Sequence, residues 1–130
     1  MNVVDSSGWL EYFADGANAS LYENALKDTD CLVVPTVSVY EVFKVLLREE
    51  GEDAALQGAA AMQRGTIVDL NSRLAISAAS LSLKYSIQMA DSVILATARS
   101  CGASLWTQDA DFKEIPGVKY FPEATTNANQ

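Results

Sequence analysis

Residues 90–112 read Ala-Asp-Ser-Val-Ile-Leu-Ala-Thr-Ala-Arg-Ser-Cys-Gly-Ala-Ser-Leu-Trp-Thr-Gln-Asp-Ala-Asp-Phe. Ala90 to Cys101 is apolar and unbroken by Gly or Pro, which predicts a buried helix, and Gly102 is its natural stop. Ser104-Leu-Trp106 is a short strand run. The polar stretch Thr107-Gln-Asp-Ala-Asp-Phe112 follows it directly and carries two aspartates. Helix, glycine, strand and acidic turn in this order form one unit of an alternating α/β domain.

The same alternation extends outward. Val3-Val4 is a very short strand ending at Asp5, and a helix starts near Ser7. Ala19 to Leu26 has helical spacing, and Cys31 to Val34 is a buried-strand run closed by Pro35. From Ser38 the apolar positions Val39, Val42, Phe43, Leu46 and Leu47 recur at helical intervals until Gly51. Glu52 to Arg64 is alanine-rich and helical, and Thr66 to Val68 is a third strand. Asn71 caps a helix running to about Lys84, and Val118 to Phe121 is a fifth strand. This pattern predicts a three-layer α/β/α domain whose central parallel sheet of about four to five strands is covered on both faces. Residues 1–122 are expected to form that single domain. Residues 123–130 are polar and read as a frayed tail.

Acids mark the strand and helix boundaries: Asp5, Glu41, Asp91, Asp109 and Asp111. Ligands of parallel α/β sheets bind beyond the carboxyl ends of the strands, so acids far apart in sequence can converge there. Each has a plainer reading. Asp5 is a good helix cap. Ser38-Val-Tyr-Glu41 has capping-box spacing, Asp91 suits a helix dipole, and Asp109 with Asp111 suits an Asx turn. What the separate readings leave unexplained is that all five fall on one expected edge. Two carboxylates about 4 Å apart repel by roughly 4 kcal/mol at an effective dielectric near 20, so such a cluster needs protons or a divalent cation. The chain has no histidine, which leaves oxygen ligation by a hard ion such as Mg²⁺ or Mn²⁺.

Composition narrows the classes further. At 130 residues and 49% hydrophobic content the chain fits one core. The amino-terminal Met1-Asn2-Val3-Val4-Asp5 lacks the regions of a signal peptide, and no apolar run is long enough for a bilayer, so a cytoplasmic protein is expected. Cys31 and Cys101 read as buried thiols, not a disulfide. The net charge of −8 opposes a nucleic-acid binder built on a broad basic surface. Part of that acidity is the cluster itself, and Lys44, Arg48, Arg73 and Arg99 are available as a local positive rim. An acidic surface also suits a basic protein partner.

Residues 90–112 resemble the carboxy-terminal signature of PIN domains, in which an aspartate opens an Ala-rich helix, a glycine ends it, and a strand leads into Thr-x-Asp-x-x-Phe. Val3-Val-Asp-Ser-Ser7 is similar to the family's first strand with its leading aspartate, and Val39-Tyr-Glu-Val42 to its second acidic segment. The resemblance covers nearly the whole chain, and its length and compactness look like the VapC-type toxins of toxin–antitoxin pairs. It implies an endoribonuclease dependent on Mg²⁺ or Mn²⁺, with Asp5, Glu41, Asp91 and Asp109 as the catalytic and metal-site acids and Asp111 as a further or outer member. Thr107 would orient a carboxylate or water, and Ser6 and Ser38 stand where hydroxyls are common. It further implies an RNA substrate, a VapB-like antitoxin and a homodimer. Lys44, one turn beyond Glu41, and Arg99, two turns beyond Asp91, are in reach of a substrate phosphate if they are not simply solvated or paired on their own helices. Trp106 departs from the family, where a small aliphatic residue is usual.

Two other classes remain in view at this level. A phosphoacceptor receiver domain shares the small α/β pattern and would use Asp5 and Asp69, yet it needs an acidic pair at the first strand, and Ser6 follows Asp5. A non-catalytic module that retains the fold as an RNA- or protein-binding surface differs only in turnover.

Overall fold

A computed structural model describes residues 1–124. Of the expected polar tail, residues 125–130 lie outside that range. The strands are β1 (Asn2–Val4), β2 (Leu32–Pro35), β3 (Thr66–Val68), β4 (Ser104–Thr107) and β5 (Val118–Tyr120). They form one parallel sheet in the order β3-β2-β1-β4-β5. The helices are α1 (Ser6–Phe13), α2 (Ala19–Lys27), α3 (Thr36–Glu50), α4 (Glu52–Met62), α5 (Ser72–Tyr85) and α6 (Met89–Ser100).

Strands of three or four residues survive because both sheet faces are covered. Val4 and Val34 point into a core with Trp9, Tyr22, Leu26, Val42, Leu46 and Met62 of α1 to α4. Their neighbours Val3 and Val33 point the other way, onto Ile94, Leu95 and Ala98 of α6. Val3, Val4 and Val34 are fully buried, and burial of each such side chain stabilises the fold by about 1.5–3 kcal/mol. Helix α5 packs outside α6 through Leu74 and Ala78 against Val93 and Ala96.

Close approach also has a sequence cause. A Cβ at Gly8 would lie 2.6 Å from Val4 Cγ1 and 2.7 Å from Tyr22 Cε1, so glycine lets α1 sit down on β1 and α2. Gly102 ends the α6 segment with φ of +62°, as its placement predicts. Asn71 caps α5, its Oδ1 accepting from Leu74 N at 2.9 Å.

Some boundaries differ from expectation. Helix α3 starts at Thr36, with Pro35 as N-cap and no side-chain cap. The Ser38–Glu41 capping box therefore does not form, because both residues already lie inside the helix. Strand β4 extends to Thr107, and short 3₁₀ turns occupy Thr29–Cys31 and Ala110–Phe112. Both cysteines are free and only half-buried. Trp106, on β4 between β1 and β5, is accommodated by donating to Asn2 Oδ1 at 2.9 Å, by packing on Phe121, and by Lys119 lying over its ring. No described helix is long and apolar enough to cross a membrane.

Candidate metal centre

In a sheet of order 3-2-1-4-5 the chain reverses its direction of travel between β1 and β4, and the crevice beyond their carboxyl ends is where ligands bind. Asp5 is the first residue after β1, and its amide donates to Trp106 O at 2.9 Å, which ties it to β4. Asp5 occupies the N-cap position of α1 but makes no side-chain capping bond. Its Oδ2 instead accepts from Ser7 Oγ and from Thr107 Oγ1, both at 2.9 Å. Thr107 Oγ1 in turn accepts from Asp109 N at 2.9 Å, and Asp109 Oδ1 accepts from Asp111 N at 2.9 Å. The Asx turn anticipated at Asp109 is present, and it aims the acidic loop at the crevice. One threonine hydroxyl thus couples the loops after β1 and β4.

Helix α6 runs antiparallel to the strands, so its first turn, carrying Asp91, returns to the same edge. Among the described residues one trio, Asp91, Asp109 and Asp111, offers one carboxylate oxygen apiece within 4.8 Å of one another. The family resemblance implies Asp5, Glu41, Asp91 and Asp109 as the main metal-site acids and Asp111 as a further or outer member. Asp111 joins the tight group because the 3₁₀ turn folds it back over Asp109, whereas Asp5 and Glu41 are held by hydroxyls. Glu41 Oε1 accepts from Ser6 Oγ at 2.7 Å. Ser38 is fully buried, and its Oγ has no hydrogen-bond partner among the described residues.

Charge is uncompensated throughout. The ion pairs of the described residues, Lys27–Glu23 and Arg48–Glu49, involve none of the five acids. Asp5 is 3% exposed, and burial pushes its carboxyl above the usual range against the opposing hydrogen bonds from Ser7 and Thr107. Desolvation, then the charges of Asp5, Asp109, Glu41 and Asp111, raises Asp91 from 3.8 to about 7. All four other acids are therefore electrostatically felt at Asp91.

A divalent ion fits this donor set. The trio presents only hard oxygen ligands, and opposite ligands of one Mg²⁺ lie about 4.2 Å apart. One carboxylate oxygen from each of the three already lies within 4.8 Å of the others, so small side-chain adjustments would bring them onto one ion. A cation there would offset both the desolvation and the repulsion that raise Asp91.

Three further residues singled out by the sequence lie apart from the acids. Arg99 lies eight residues beyond Asp91, about 12 Å along the helix, and its Nη2 donates to Tyr85 OH and Pro116 O, each at 3.3 Å. It sits toward the opposite sheet edge, so it does not face the acids. Lys44 is exposed and lies over the Tyr40 ring at 5.6 Å, which supports the reading of a charge engaged on its own helix. Asp69 follows β3, an edge strand two places from β1, which removes it from the Asp5 pocket and with it the receiver reading. Ser7 was not singled out from the sequence, although a serine two residues after Asp5 has the spacing for a side-chain turn. The buried pair Asn18 and Gln108 carried no local signal, since its members are ninety residues apart and meet only in the fold.

The chain belongs to the PIN-domain family, whose profile matches residues 3–118. At family level this makes it one of a group of nucleases. No curated protein sequence matches it. Among solved structures, a toxin–antitoxin complex from Klebsiella pneumoniae superposes with a TM-score of 0.79 at 21% identity, over 95% of this chain and 100% of the other. The VapC20 toxin of Mycobacterium tuberculosis, which cleaves the sarcin–ricin loop, gives 0.75 at 18% identity over 89% and 95%. VapBC2 of Rickettsia felis, solved bound to a fragment of its promoter DNA, gives 0.71 at 14% over 93% and 97%. At these identities the likeness is one of fold.

Proposed function

We propose that the protein is an endoribonuclease dependent on Mg²⁺ or Mn²⁺ and the toxin of a toxin–antitoxin pair. The observation that carries this reading is the Asp91–Asp109–Asp111 trio at the switch point of the sheet, without a neutralising cation from the protein and wired to Asp5 through Thr107. Structural neighbours that are VapC toxins and VapBC complexes support the same class.

Asp91, Asp109 and Asp111 would hold the ion, with Asp5 and Glu41 bordering it. When bound, such an ion lowers the pKa of a coordinated water and offsets charge on the leaving oxygen. The protein's own part is positional. Thr107 and Ser7 both donate to Asp5 Oδ2 and so fix the orientation of its carboxylate. Ser6 holds Glu41 in the same way. In the net reaction a water oxygen bonds to phosphorus, the phosphodiester P–O bond breaks, and the leaving oxygen takes a proton. No histidine is required for that chemistry, and none exists in the chain.

The antitoxin partner is proposed to dock in the groove of about 700 Å³ between α1, α3 and α4, lined by Leu10, Phe13, Leu46 and Gly58, with Glu49 and Glu50 on its wall. Those residues match an amphipathic helix carrying basic flanking side chains. A homodimer is proposed through the exposed apolar positions Ile76 and Leu83 of α5 and Met89 of α6, to be checked by sedimentation. The nuclease reading is tested by sequencing RNA 5′ ends after expression of the intact protein beside Asp5→Asn and Asp91→Asn. New ends made by the intact protein alone support it. A non-catalytic module would give identical ends in all three.

A further inference from the structure

Beside the acidic centre, and sharing Ser7 and Asp109 with it, lies a cleft of about 570 Å³ lined also by Gln108, Tyr120 and Glu123. Gln108 is 8% exposed, and its side chain is fixed from behind. Its Oε1 accepts from Asn18 Nδ2 at 3.1 Å, the same nitrogen donates to Pro122 O at 3.0 Å, and Asn18 N donates to Glu11 Oε2 at 2.7 Å. With the carbonyl committed to Asn18, the amide orientation of Gln108 is determined, and its Nε2 has no protein partner among the described residues. That nitrogen is the remaining polar atom of a side chain that lines the cleft. Tyr120 is the register partner of Thr107 across β4 and β5, so its half-buried ring stands at the same carboxyl edge as the acids.

The charge around the cleft decides what kind of ligand it takes. No Lys or Arg lines it, while Asp109 and Glu123 do, so a phosphate is disfavoured there. An uncharged planar ring with an acceptor edge meets all three features: a face for Tyr120, an acceptor for Gln108 Nε2, and N–H groups for Glu123. We infer that this cleft is a nucleobase subsite, in which Tyr120 stacks and Gln108 reads one base flanking the scissile phosphate. The inference rests on the ribonuclease reading of the adjacent acids. It gives a reason for the Glu11–Asn18–Gln108 chain, which fixes the amide of Gln108 and leaves Nε2 as its remaining donor. Stacking on an aromatic side chain is tolerant of sequence, so discrimination falls to Gln108 and Glu123.

The test uses the full chain, a randomised RNA oligonucleotide pool with Mn²⁺, and end mapping, alongside anisotropy of a labelled 2′-O-methyl RNA measured in chelator. Gln108→Met preserves shape and removes the donor. It should flatten the base preference at one position next to the cut by about tenfold while cleavage of the pool continues. Tyr120→Ala should raise KM and weaken the metal-free binding about tenfold with kcat unchanged, and Tyr120→Phe should restore both. Cleavage by all variants with unaltered preference and affinity overturns the subsite and leaves the nuclease intact. Absence of cleavage by the intact protein, with Asp5→Asn indistinguishable from it, overturns the nuclease reading, and unchanged anisotropy for Tyr120→Ala then overturns the subsite separately.

Discussion

Replacing Asp91 by Asn should stabilise the metal-free protein, the opposite of what an ordinary polar truncation does. The carboxyl is pushed from 3.8 to about 7 by burial and by four neighbouring acids. Because the folded pKa lies above the unfolded one, the native state holds the proton longer, and stability is lost as pH rises through about 4 to 7. At about 1.4 kcal/mol per unit the full shift would be worth about 4 kcal/mol. Asp91 is only half-buried, and solvent screening reduces this to about 1–2 kcal/mol. Against it stands the favourable placement of a charge in the first turn of α6, about 0.3–1 kcal/mol. The repulsion wins, with a net gain near 1 kcal/mol above pH 7 and a Tm increase of about 3–5 °C. Thermal scans in chelator at pH 5 and pH 8 should show the gain at pH 8 and its shrinkage at pH 5, where the native carboxyl is already protonated. Added Mn²⁺ at about one hundred times its Kd should stabilise the unsubstituted protein by about 2.7 kcal/mol and Asp91→Asn by much less. A variant that is destabilised in chelator at pH 8 and still fully responsive to Mn²⁺ would show that Asp91 serves the helix terminus alone.

Thr107→Val keeps the volume and removes the hydroxyl that joins Asp5 to Asp109. It should cost about 1.5–3 kcal/mol in denaturant melts and weaken Mn²⁺ binding by calorimetry, and unchanged metal affinity would refute its coupling role. Gly8→Ala should destabilise by about 1–3 kcal/mol, since the new methyl meets Val4 and Tyr22 at under 3 Å; a neutral effect would mean that α1 shifts freely. Asn71→Ala removes the α5 cap, with an expected loss of about 1 kcal/mol and no change in metal-dependent cleavage, which makes it a control for stability effects on activity.

The alternation of elements is legible in the chain, because largely buried runs such as Leu32 to Val34 and Ser92 to Ala98 stand out as apolar segments with local stops at Pro35 and Gly102. The sequence also marked Asp5, Asp91 and Asp109 through their places at strand ends and helix starts, and the likeness of residues 90–112 to the PIN signature is the ground for proposing one site for them. Tertiary structure decided the rest. The order β3-β2-β1-β4-β5 moved Asp69 to an outer strand, and the direction of α6 carried Arg99 away from the acids, neither of which any local pattern encodes. Pro35 started α3 two residues early and released Glu41 from a cap to meet Ser6, thirty-five residues distant. The 3₁₀ turn made Asp111 a close neighbour of Asp91. The Asn18–Gln108 bond was invisible because burial of a polar pair depends on what the completed fold brings together, and that information exists in no single segment of the chain.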